Sequence, residues 1–137
     1  MVDREVVVER IKNLEEKIDY LKKIGDYKKS EFSKEADIYF RFERALHLAI
    51  EAVIDIGNHI IADHRLKTPD SNKDIFKILA NNKIIDKNLA DKLMKMAGFR
   101  NILVHDYLDL DRELEYEIIS NNLEDIEKFM KVAVKYI

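Results

Sequence analysis

Ile38-Tyr39-Phe40-Arg41-Phe42-Glu43-Arg44-Ala45-Leu46-His47-Leu48-Ala49-Ile50-Glu51-Ala52-Val53-Ile54-Asp55-Ile56-Gly57-Asn58-His59-Ile60-Ile61 carries no proline and a single glycine. Ile38, Phe42, Ala45, Leu46, Ala49, Val53, Ile56 and Ile60 recur at helical spacing and draw one stripe, and Tyr39, Ile50, Ile54 and Ile61 add apolar surface beside it. A surface that wide needs more than one packing partner. It predicts either the central helix of a bundle or a helix that also builds a homodimer seam, with Gly57 allowing another helix to come close. Ser33 is the expected N-cap, and the helix is expected to run to about His64.

Working outward, Val7, Ile11, Leu14, Ile18 and Leu21 alternate at spacings of four and three, which predicts an amphipathic helix ended by Gly25. Downstream, residues 65–72 with Pro69 read as a loop before a short helix over 73–80 that Asn81 and Asn82 close. Asp86 can cap the next helix, whose stripe is Leu89, Leu93, Met96 and Leu103. A break over 108–111 precedes a last helix built on Leu114, Ile118, Leu123, Ile126, Met130 and Ala133, with a bend expected near 120–122. The fold class is therefore all-α, an up-and-down bundle of four to five helices, and residues 1–137 read as one domain.

Composition narrows the chemistry. The chain has no cysteine, which excludes disulfides, thiolate metal sites and a cysteine nucleophile. Its net charge of -3 gives no general attraction to nucleic acid, so any such binding requires a local patch. With neither a signal-peptide core nor an apolar run of membrane-spanning length in sight, the expectation is a cytoplasmic protein with no membrane partner.

The densest chemistry lies in Arg100-Asn101-Ile102-Leu103-Val104-His105-Asp106-Tyr107. Arg can meet a phosphate with a planar donor fork, and His can move a proton near neutral pH. At about 100° per residue, Arg100 falls close to the centre of the stripe made by Leu93, Met96 and Leu103, an expensive place for a charge unless it is paired or at an interface. One reading pairs Arg100 with a buried carboxylate and lets His105 and Tyr107 simply finish a helix. As a site, the motif has a geometric problem: His105 lies about 140° from Arg100 on the same helix. Either the helix ends or kinks near Val104, or a two-fold partner brings two copies of the motif into one cleft.

Arg-x4-His-x-Tyr, with Asn101 after the Arg and Asp106 before the Tyr, resembles the signature of the HEPN superfamily and most closely its HepT-like ribonuclease toxins. The similarity extends over nearly the whole chain through its helical layout, with its specificity in the eight-residue motif. It implies metal-independent RNA cleavage without a cofactor, in which a 2'-hydroxyl attacks the adjacent phosphate to leave a cyclic phosphate and a 5'-hydroxyl. On that resemblance His105 is the general base or acid, Arg100 stabilises the phosphorane oxygens, and Asn101 and Asp106 support them. Tyr107 stands where the family accepts AMP from a minimal nucleotidyltransferase antitoxin. The resemblance thus implies a homodimeric toxin of a type VII-like toxin–antitoxin system. Its rival is a non-catalytic HEPN module that presents substrate to a separate nucleotidyltransferase.

Other candidates are weaker. Asp55, His59 and Asp63 share a helical face with metal-ligand spacing, but no second cluster completes a shell, and no metal is assigned. Asn58 is a candidate supporting polar group beside Gly57, and Lys92 and Lys95 are nearest in sequence to guide RNA toward the motif. His47 and His64 read as packing or surface residues.

Overall fold

A computed structural model describes residues 4–105 and 111–136, with side chains described through Asn101 and again from Asp111. All regular elements among these are helical: α1 (Arg4–Leu21), α2 (Lys29–Lys34), α3 (Ala36–Asp63), α4 (Asn72–Asn81), α5 (Lys87–His105) and α6 (Arg112–Val134), with a 3-10 turn at Lys22–Asp26. α3 packs against all five other helices. Its main stripe and the flanking Tyr39, Ile50, Ile54 and Ile61 are buried within the chain, apart from the half-buried Ile38. The width of its apolar surface is thereby accounted for by the bundle itself. By length and composition α3 could cross a bilayer, contrary to the expectation that no run approaches that length. Its apolar faces instead form the core, and its outward strip carries Arg41, Arg44, Glu51 and Asp55.

The helix count is six rather than four to five because the second helix is divided. Glu35, extended at φ -93° and ψ 104°, separates α2 from α3 and is the N-cap in place of Ser33, which lies inside α2. The break frees the Ser33 carbonyl to accept from Arg112 Nη1 at 3.2 Å. It also accompanies a ring cluster in which Phe32 meets Tyr39, Phe42 and Tyr116. Gly25 does not end α1: α-helical geometry stops at Leu21, and the 3-10 turn carries on past Gly25, burying Ile24. The remaining boundaries follow their caps. Ser71 accepts from the Asp74 amide at 3.2 Å, Asp86 from the Leu89 amide at 2.7 Å, and Asp111 from the Glu113 and Leu114 amides. α6 is continuous through 120–122.

Two glycines separate packing from propensity. A Cβ on Gly57 would lie 2.7 Å from Ile75 Cγ2, a branched methyl with no freedom to move aside, whereas one on Gly98 would meet only the flexible Lys73 Cε at 3.1 Å. Ala in place of Gly within a helix gains about 1 kcal/mol, and overpacking costs about 1–3 kcal/mol. Gly98→Ala is therefore expected to raise the urea midpoint and Gly57→Ala to lower it. Equal shifts in one direction would show that helix propensity alone governs both sites.

Candidate functional site

α5 delivers the motif. Asp86 starts it, and Leu89, Leu93, Met96 and Phe99 hold its inner face in the core, which fixes the direction in which Arg100 leaves the helix. At the end of that buried face the Arg100 side chain is 26% exposed and turns to α3, where its Nε pairs with Glu51 Oε1. Arg100 Nη1 also donates to Asn101 Oδ1 at 3.5 Å. The same Glu51 oxygen stands 3.4 Å from His47 Nε2, one helical turn away on α3. Guanidinium, carboxylate and imidazole are thus contiguous across the α3–α5 contact.

Chemically, the Arg100–Glu51 pair sits at a rim, the Glu51 side chain being 37% exposed. A pair this open to water is worth at most about 1 kcal/mol. A phosphate offering a bidentate partner to the guanidinium can therefore compete with, or add to, Glu51. Beside it, α1 and α3 enclose a cleft of about 660 Å³ lined by Arg10, Asn13, Lys17, Glu51, Asp55 and Asn58, among others. Asn58 is exposed there, in the same cleft as the partner of Arg100. Asp55 is engaged by Arg10 and lies 3.9 Å from His59, and among the described residues no group of three His or carboxylate side chains could hold a metal ion.

His105 occupies the last turn of α5, which is helical through that residue. Its side chain, Asp106 and Tyr107 lie outside the described residues. Lys92 pairs with Asp125 at 3.6 Å, and Lys95 is exposed. Sequence reasoning missed Glu51 and left His47 without a role. The available signal was a carboxylate and an imidazole at i,i+4 on the outward strip of the most apolar helix.

A second polar cluster lies under the N-terminus of α6. Glu115 is completely buried, and its carboxyl is pushed up to about 7 by loss of hydration, which the Tyr39 phenol and Arg112 offset only in part. Neither carboxylate oxygen has a well-formed hydrogen bond. Tyr39 is raised too, first by burial and then by Glu115, and burial likewise raises Glu43. Arg112 stacks over the Tyr39 ring, 4.2 Å from its centroid.

Comparison with known proteins converges on one family. The family described as Ribonuclease HepT-like matches residues 14–133. An mRNA nuclease HepT of Shewanella oneidensis is 33% identical over 131 residues, 93% of this chain and 96% of that protein. A tRNA nuclease HepT of Aphanizomenon flos-aquae is 27% identical, covering 96% of this chain and 90% of that one. Among solved structures, the tri-AMPylated Shewanella oneidensis HEPN toxin in complex with MNT antitoxin superposes with a TM-score of 0.86 at 34% identity, covering 98% of both chains.

Proposed function

This chain belongs to the HepT-like ribonuclease family, and on that premise we propose that it is a metal-independent RNA endonuclease acting as the toxin of a toxin–antitoxin pair. The observation that carries the reading is Arg100, held at the rim of the α3–α5 contact by a carboxylate weak enough to yield to phosphate. Arg100 gathers the charge that develops on the phosphorane oxygens while His105 transfers a proton. Asn101, bonded to Arg100, steadies the guanidinium, and Asn58 lies within the adjoining cleft. Asp106 is a further supporting group. Residues 1–137 act as one HEPN domain, a reading supported by a single hydrophobic core to which every helix contributes. An RNA substrate places the chain in the cytoplasm.

The partners follow from the same motif. Because α5 stays helical through His105, positions 100 and 105 diverge by about 140° within one chain. That divergence supports a homodimer in which two motifs face a common cleft, and light scattering should give twice the chain mass. A strict monomer that still cleaves RNA would remove the shared cleft. The second partner is a minimal nucleotidyltransferase antitoxin that transfers AMP from ATP to Tyr107, the phenol oxygen losing its proton and bonding the α-phosphorus as pyrophosphate leaves, a reading supported by the AMPylated Shewanella toxin. The added phosphate then pairs with Arg100 and obstructs the cleft.

Expression without the antitoxin tests the function. Wild type should arrest growth and degrade RNA, His105→Ala should do neither, and coexpression with the nucleotidyltransferase should protect the cell. Tyr107→Phe keeps the ring without the acceptor oxygen, so it should stay toxic, gain no AMP by intact mass, and escape protection. Intact RNA in cells expressing wild type alone would favour the binding-module alternative.

A further inference from the structure

We propose that the groove between α1 and the N-terminal half of α3 is a binding site for the phosphate backbone of single-stranded RNA, held by Lys23, Arg41 and Arg44. The proposal rests on the ribonuclease reading and extends it to where the strand lies beyond the cleaved bond. This concavity, about 460 Å³, shares Lys17 and Leu48 with the cleft that contains Glu51. The two therefore adjoin, and the groove lies on the side of the cleft that leads toward the N-terminus of α3. Along α3, Arg44 lies seven residues and Arg41 ten residues before Glu51. At a rise of 1.5 Å per residue these are reaches of about 10 and 15 Å, a run of a few nucleotides.

The charges along the cleft and groove are unequally committed. At the motif end, Asp55 engages Arg10, and within the groove the carboxylate of Glu16 is met by Lys17 at 3.5 Å. In the outer half, Lys23 stands over the Tyr20 ring, 5.6 Å from its centroid, and has no ion pair among the described residues. Arg41 gives its Nε to the Asp37 carbonyl at 3.1 Å, and among the described residues its two terminal nitrogens have no partner and can meet a ligand. Arg44 is exposed and has no ion pair among the described residues. Against these three cations the groove sets one uncommitted carboxylate, Asp19. Lys22, Lys29 and Lys92, by contrast, are each tied to a carboxylate. In a chain of net charge -3, a concave strip with the opposite local sign, adjoining the cleft that holds the partner of Arg100, suits a polyanion that threads past the site.

The test measures binding without cleavage. His105→Ala and the same protein with Lys23→Ala, Arg41→Ala and Arg44→Ala are titrated with a fluorescent single-stranded oligoribonucleotide across a salt series. A control replaces the exposed Lys67, Lys77 and Lys87 by Ala, an equal change of charge elsewhere. Each phosphate contact on a single strand contributes about 0.7 to the slope of log K against log salt, so the groove variant should lose about 2 from that slope. Its affinity should fall about tenfold or more at low salt, and the control's slope should be unchanged. Equal losses in both variants would overturn the groove in favour of a diffuse field effect. Unchanged RNA binding with loss of the nucleotidyltransferase complex would make it a protein-docking surface and also overturn the proposal. If wild type cleaves RNA and the slopes coincide, only the groove fails. If wild type leaves RNA intact and His105→Ala does not bind it, the ribonuclease reading fails and the groove with it.

Discussion

Arg100→Ala is expected to reduce RNA cleavage by about a hundredfold or more, the usual cost of losing one preorganised donor to a developing oxyanion, while the chain stays folded. Two magnitudes separate these outcomes. The ground-state ion pair with Glu51 is partly hydrated on both sides, so its removal costs at most about 1 kcal/mol of stability. Transition-state stabilisation by a preorganised donor is worth roughly 3 kcal/mol or more. Arg100→Lys should recover little, because one ammonium cannot span two phosphate oxygens as the fork does. On the proposed roles His105→Ala should fall to a similar level, and the double variant little further, the result expected of two groups that serve one transition state. Cleavage by wild type should persist in EDTA. Arg100→Ala cleaving at the wild-type rate, with its melting curve unchanged, would exclude the guanidinium from the chemistry.

Half of this site was legible in the sequence. A guanidinium projected onto the stripe of Leu93 and Met96 is a local conflict, and it drew attention before any partner was known. Its partner was not legible. Glu51 is 49 residues away on an outward strip, and nothing in the spacing says which helix crosses that strip or at what level. Asp55 shows the same limit: its i,i+4 relation to His59 allowed a metal face that was set aside for want of a second cluster, while its partner Arg10 of α1 is invisible to helical periodicity.

Fold boundaries divide along the same line. Asp86, Asn82 and Asp111 are local devices whose side chains satisfy backbone groups within four residues, so they can be read from the chain. The break at Glu35 has no glycine or proline to announce it. Its hydrogen-bond compensation comes from Arg112, 79 residues away from Ser33. The wide apolar surface of α3 was ambiguous for the same reason, since periodicity counts apolar faces without saying whether the chain itself or a second copy covers them.

Glu115→Gln is expected to stabilise the protein at alkaline pH and to change it little in acid. The wild-type carboxyl titrates near 7 in the folded state against an ordinary value of 4.5, with burial as the main cause. The folded state therefore favours the protonated form. Its contribution is fully favourable below 4.5, is lost as pH rises through 7, and is level above that. A difference of this size corresponds to roughly 3 kcal/mol. Glutamine has nearly the same shape and no charge, so it removes the penalty without opening a cavity. Denaturation at about pH 8 should show Glu115→Gln more stable by up to about 3 kcal/mol, with the two proteins converging below about pH 4. Tyr39→Phe should act in the opposite direction, because the phenol is the largest influence lowering the Glu115 value and its loss pushes the carboxyl higher still. A wild-type stability parallel to that of Glu115→Gln across this range would mean that Glu115 ionises as freely in the folded chain as in the unfolded one, and that water reaches the junction of α2, α3 and α6.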